Sequence, residues 1–146
     1  LYSGHLRHIF LPMYLGGDMT EVRHLGDGNS VCLGTGARAP AKLEIKRGAG
    51  NRILIGNESK LRGSIVIRGN GNTILIGNHC DWRGDIVVKG DKQTVSIGDY
   101  STAVNAYLLC QEGCDITIGR WCMFSRGIEV RTTDAHSVID RATVSA

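Results

Sequence analysis

The chain repeats itself every 21 residues. Ile55-Gly56, Ile76-Gly77, Ile97-Gly98 and Ile118-Gly119 recur at that interval, and Ile139-Asp140 takes the next place in step. A unit this small cannot enclose a core of its own. Its apolar residues can be buried only by the unit before and the unit after, so the chain must stack.

Each unit divides again, into sextets. Counting from Ile55, apolar residues follow six apart at Leu61 and Ile67, and the same places hold Trp82 and Val88, Ala103 and Leu109, Phe124 and Val130. The fourth residue after each leading Ile is small: Ser59, Cys80, Ser101 and Cys122. In the next sextet the fourth residue is Ile65, Ile86, Tyr107 and Ile128. Alternation such as Ile53-Ile55, Ile65-Ile67 and Ile74-Ile76 is that of strands, and no stretch of the repeat sustains the three-and-four spacing of a helix. The pattern predicts an all-β parallel solenoid with a triangular coil of about 21 residues. Three short strands form its sides, and one aliphatic residue per sextet points to the axis. Coils stacked at about 4.8 Å, the spacing of neighbouring strands, place residues 21 apart in columns. Gly69-Asn70-Gly71-Asn72 and Gly90-Asp91-Lys92-Gln93 fall at one corner, where residues tolerant of positive φ are favoured.

With 146 residues there is room for one domain. Residues 1–30 lack the period and are expected to form an irregular cap, with Phe10, Leu11, Met13, Tyr14 and Leu15 covering the open end. Residues 31–146 form the solenoid. Its first coil is imperfect: Leu43 and Ile45 resemble Ile65 and Ile67, with one extra residue before Ile53. The chain opens at Leu1 and stops soon after a fifth coil starts at Ile139, as expected of a solenoid truncated at its C-terminal end. A net charge of +3 is mildly basic, and no Arg/Lys block resembles a nucleic-acid patch. No apolar run is long enough for membrane insertion. Five cysteines, an odd number, argue against a disulfide scaffold. Cys80 and Cys122 occupy the small inward column, and Cys110 and Cys114 lack the second pair that a zinc site needs. No metal is expected, and a reduced, cytoplasmic location is. Trp82 in a core column and Trp121 at a corner are expected to serve packing.

The last corner departs from its predecessors. His136 stands in a column that holds Thr73, Thr94 and Asp115 in the coils before it, and Asp134 lies two residues earlier. On extended backbone, residues two apart face the same way. A carboxylate bonded to one ring nitrogen fixes the tautomer and leaves the other nitrogen as a base. An Asp-x-His pair at a turn is also an ordinary surface feature, but a solenoid scaffold is functionally silent and carries a site where its corner chemistry changes.

The run Ile118-Gly119-Arg120-Trp121-Cys122-Met123-Phe124-Ser125, followed by Ile128 through Asp140 with its Asp134-Ala135-His136, resembles the signature of bacterial sugar and polysaccharide O-acetyltransferases of the hexapeptide-repeat superfamily. The Asn-x-Ile-x-Ile-Gly-Asn and similar units at 51–57 and 72–78 are like theirs too. The resemblance covers about residues 45 to 140. It implies a left-handed parallel β-helix, a homotrimer, and acetyl-CoA as co-substrate in clefts between neighbouring subunits. It also implies a sugar or polysaccharide hydroxyl as acceptor, with His136 as general base and Asp134 orienting it. Arg131 is placed either to contact acceptor or coenzyme phosphate or to form an exposed salt bridge, and Ser125 either to contact the acceptor or to serve the turn. Members of the family continue for several more coils that supply much of the coenzyme groove, and those residues are absent from this sequence. The alternative is a non-catalytic trimeric β-helix scaffold or binding module. A trimeric zinc hydratase on the same scaffold needs three converging histidines, and only His79 and His136 lie within the repeats, in different columns.

Overall fold

The structure is a computed structural model, and it describes residues 19–132. They form a parallel β-solenoid of about five turns, roughly 21 residues each. The first side of the coil is a stack of parallel strands: β2 (Ser30–Gly34), β4 (Arg52–Ile55), β6 (Thr73–Ile76), β8 (Thr94–Ile97) and β11 (Ile116–Ile118). The other two sides are built from β3 (Lys42–Arg47), β5 (Lys60–Arg68), β7 (Asp81–Lys89), β9 (Thr102–Ala103), β10 (Ala106–Gln111), β12 (Met123–Phe124) and β13 (Ile128–Arg131), again parallel. In β5 and β7 a single strand runs through the corner between these two sides at Gly63 and Gly84, both with positive φ. One more strand, β1 (Met19–His24), pairs antiparallel with β2 and occupies its outer edge. An open strand edge invites pairing with other chains, and β1 fills it.

The columns read from the sequence are the core. Ile55, Ile76 and Ile97 are no more than 1% exposed, and each lies beside the next in register. Burying one such side chain stabilises by roughly 1.5–3 kcal/mol, so the inward columns supply most of the driving force. Trp82 is fully buried, as its column predicts, and packs on Phe124 with ring centroids 5.3 Å apart. The small Ala103 lies between them in the same column and leaves room for both rings.

Two features of register differ from the simple period. In the first coil the extra residue is a bulge between Ile45 and Arg47, in the interval the sequence indicates. The second is a correction: Leu108, not Tyr107, pairs with Ile86 and Val130, and Cys110, not Leu109, pairs with Val88. Tyr107 and Leu109 therefore alternate away from the inward columns, Tyr107 half-buried and Leu109 buried outside the main core cluster. The cause is an additional residue after Ala103, matched by a shorter turn before Ile116, so the first side returns to its place with Ile118 against Ile97. Because side chains alternate along a strand, a one-residue slip exchanges the inward and outward sets.

Between the third and first sides the interior is polar. Asn29, Asn51, Asn72 and Gln93 are at most 4% exposed and follow one another coil by coil. Asn51 Oδ1 accepts the backbone N–H of Asn72 at 2.8 Å, while Asn51 Nδ2 donates to the carbonyl of Gly69 at 2.8 Å. Asn72 repeats the arrangement toward Gln93 and Gly90. Gln93 ends the ladder: its longer side chain donates to Lys89 and Cys110 carbonyls and accepts the Gly113 N–H. Beside it Gly69, at φ +135°, approaches the Gly90 carbonyl so closely that a Cβ would overlap it. A buried unpaired polar group costs about 1–3 kcal/mol, so Asn51→Ala, which orphans Asn72 N–H and Gly69 C=O, should lower unfolding free energy by about 2–4 kcal/mol in urea titration. The exposed Asn70→Ala should cost less than half as much.

Candidate functional site

The corner between the second and third sides grows along the solenoid. Three residues separate the core residues Trp82 and Ile86, four separate Ala103 and Leu108, and five separate Phe124 and Val130. Arg83 alone occupies the first corner before Gly84, Val104-Asn105 the second, and Ser125-Arg126-Gly127 the third. The inward anchors hold, so each added residue must bow outward. Val104 is 51% exposed, and Ser125 and Arg126 are exposed as well. Gly127 makes the last bend at φ +69°. A shallow cavity of about 350 Å³ lies beside this corner, lined by Arg62, Asp81, Arg83, Thr102, Ala103 and Val104. Within it Arg62 and Asp81 form an ion pair at 3.2 Å.

Ser125 is thus an exposed residue at the mouth of the largest corner, free of hydrogen bonds to other described side chains. Arg131 sits at the far end of β13 on the third side. Its guanidinium binds Glu129 at 3.0 Å and lies 5.5 Å from the centre of the Tyr107 ring. The hydrogen bond it donates to Glu129 raises its already high pKa further. An exposed pair of this kind is worth little in stability. No hydrogen bond or ion pair joins Ser125 to Arg131 among the described residues. Tyr107 under the guanidinium was hidden by the assumed register, which puts it in the core.

Asp134 and His136 lie outside the described residues. The chain approaches them from a fixed point: Thr132 Oγ1 accepts the Gln111 N–H and donates to the Gln111 carbonyl, both at 2.8 Å. Thr132 N–H also bonds the Leu109 carbonyl.

At the corner between the first and second sides a different column emerges. His79, Tyr100 and Trp121 stack ring on ring, with centroids 4.9 and 4.3 Å apart and planes within 8°. All three have left-handed backbone, φ 56°, 63° and 59°, a conformation uncommon for bulky residues. Trp121 is 65% exposed, which corrects its expected role in packing. The next residue of each corner turns inward and bonds the neighbouring coil. Ser59 Oγ donates to the Gly77 carbonyl and accepts the Cys80 N–H, and Ser101 does the same for Gly119 and Cys122.

Cys80 is buried as expected, and Cys122, on the last described coil, is half-buried. Burial raises the pKa of the Cys80 thiol. It pushes Cys110 up to about 12, with Asp115 and Cys114 adding to the effect. Cys114 is exposed. Among the described residues no group of three or more His, Cys, Asp or Glu side chains could hold a metal ion.

No protein-family model matches the chain, and none of the curated proteins does. Among solved structures it is similar to the crystal structure of the polySia-specific acetyltransferase NeuO, at 26% identity over 78% of this chain, with a TM-score of 0.47. The chain spans 57% of the length of that enzyme.

Thiol chemistry tests the described site region. At pH 8 iodoacetamide should modify Cys114 readily and Cys110 and Cys80 only after unfolding, as peptide mass mapping would report. Because burial disfavours the Cys110 thiolate, stability should be insensitive to this group below about pH 9 and fall as pH climbs from there toward 12.

Proposed function

We propose that the chain belongs to an acetyl-CoA-dependent O-acetyltransferase that modifies a hydroxyl of a sugar or polysaccharide. The observation that carries this is the run from Cys122-Met123-Phe124-Ser125 to Asp134-Ala135-His136, set on a solenoid whose described coils keep register up to Thr132. The hydrogen bonds that fix Thr132 to Gln111 support a defined starting point for the segment holding Asp134 and His136.

In this proposal His136 takes the proton of the acceptor hydroxyl, and the oxygen attacks the acetyl thioester carbonyl. Backbone and side-chain donors nearby stabilise the tetrahedral oxyanion, and as it collapses the C–S bond breaks and the His136 imidazolium gives its proton to the departing thiolate of coenzyme A. Asp134 orients the imidazole and holds it in the required tautomer. Ser125 contacts the acceptor from the enlarged corner. Arg131 exchanges its exposed Glu129 partner for acceptor or coenzyme phosphate, a substitution that the weak surface pair permits. The active unit is a left-handed homotrimer with sites in the clefts between subunits, working in the cytoplasm without a metal.

Acetyl-CoA turnover by the protein over a panel of glycans tests this, read as release of free thiol. His136→Ala should abolish transfer, with the oligomer intact by light scattering. Loss of general acid–base catalysis typically costs roughly a hundredfold or more in rate. Turnover unchanged in His136→Ala would remove the catalytic assignment and leave the solenoid as a non-catalytic scaffold or binding module.

A further inference from the structure

One outward row of the solenoid is cationic in three successive coils. Arg47 lies directly beside Arg68, and Arg68 beside Lys89, on β3, β5 and β7. All three are exposed. Like charges directly opposite one another on adjacent strands repel. Elsewhere an acidic or hydroxyl partner is at hand: Lys60 lies beside Asp81, Arg62, although beside Arg83, binds that same Asp81, and Ser64 donates to Asp85. The ion pairs among the described residues include none of Arg47, Arg68 and Lys89. The fold holds three cations in line, about 4.8 Å per step, against their mutual repulsion.

The row next to them carries no side chains. Gly48, Gly69 and Gly90 occupy it, at φ +122°, +135° and +122°. The cations therefore border a trough of bare backbone. A cavity of about 610 Å³ opens there, lined by Lys46, Arg47, Gly48, Arg68, Gly69 and Asn70. On the far side of the trough the side chains are committed to the backbone. Asn70 Oδ1 accepts from Ala49 N–H, and Asp91 Oδ1 accepts from Asn70 N–H, each at 2.8 Å.

We propose that this trough binds a linear carboxylated polysaccharide laid along the solenoid axis, its successive anionic groups meeting Arg47, Arg68 and Lys89. Guanidinium groups pair with carboxylates through two parallel hydrogen bonds, and the bound anions cancel the repulsion built into the row. A polynucleotide fits less well. Single strands bind where a cationic groove also offers aromatic platforms, and the exposed rings of His79, Tyr100 and Trp121 stand at another corner. The row runs on to Gln111 beside Lys89, and Gln111 is the residue to which Thr132 is bonded. The trough thus leads toward the point from which the chain enters the Asp134–His136 segment. Binding is independent of the transferase proposal; only the role of the bound polymer as acceptor rests on it.

Binding of the full chain to immobilised polygalacturonate, measured by surface plasmon resonance without acetyl-CoA, tests the trough separately from catalysis. Affinity should fall steeply as salt rises, and Arg47→Ala/Arg68→Ala/Lys89→Ala should weaken it by roughly tenfold or more. A charge-matched triple of exposed residues that line neither cavity, Arg23→Ala/Lys60→Ala/Arg120→Ala, should stay within about twofold of the unsubstituted chain. Arg68→Lys should retain more affinity than Arg68→Ala. Circular dichroism establishes that both triple variants fold. Equal losses in the two triples would reduce the effect to net charge and overturn the proposal. So would tighter binding to oligothymidylate than to polygalacturonate, displacement of the polymer by equimolar coenzyme A, or undiminished binding to neutral dextran.

Discussion

Everything in this molecule depends on each coil lying in register on the one before it. A single coil has no interior, and the apolar columns exist only because Ile55, Ile76 and Ile97 are stacked at strand spacing. Hydrophobic burial supplies the energy and opposes a one-residue slip, which would turn the apolar set outward, but it tolerates shifts by two, since one Ile can replace another along the stack. The polar ladder does choose. Each Asn side chain of the series Asn29, Asn51 and Asn72 accepts the N–H of the next coil, and the inward Ser59 and Ser101 hydroxyls do likewise at a second corner. A shift that burial tolerates would leave these buried groups unpaired, at a cost of about 1–3 kcal/mol for each.

A scaffold so constrained on the inside is free on the outside, and its three corners have diverged. One carries the aromatic stack from His79 to Trp121. A second lengthens coil by coil until it holds Ser125-Arg126-Gly127. The third has the glycine row and the cationic row. Function in such a fold is assigned from what the corners carry, because the columns are the same whatever the protein does. The row beside the trough runs on to Gln111, to which Thr132 is bonded, and neither the proposed chemistry nor the proposed polymer binding depends on the other.

The sequence made the architecture legible because the period is a direct record of stacking. Leu61, Trp82, Ala103 and Phe124 could be placed in one inward column by counting, and the structure has them there. Counting failed at Tyr107 and Leu109, because an insertion after Ala103 is compensated before Ile116 and leaves the 21-residue interval intact. Only strand register reveals such a paired change. The buried ladder was equally hidden: Asn72 and Gln93 read as turn residues, since nothing in composition distinguishes an amide facing in from one facing out. Trp121 read as packing for the opposite reason, as large aromatic residues are more often buried than displayed. Arg131 was legible as a choice between a ligand contact and a surface salt bridge, and the described geometry has the salt bridge. The cationic row could have been found by aligning Arg47, Arg68 and Lys89 on the repeat, but the extra residue in the first coil obscures their equivalence.

The central functional claim is transfer of an acetyl group to a sugar hydroxyl. It is tested most directly by incubating the protein with carbon-13-labelled acetyl-CoA and a carboxylated polysaccharide, then recording the carbon-13 spectrum of the recovered polymer. The account predicts labelled O-acetyl ester signals on the sugar, absent when His136→Ala replaces the unsubstituted protein. Recovered polymer with no label, or the same ester signals from His136→Ala, would contradict it.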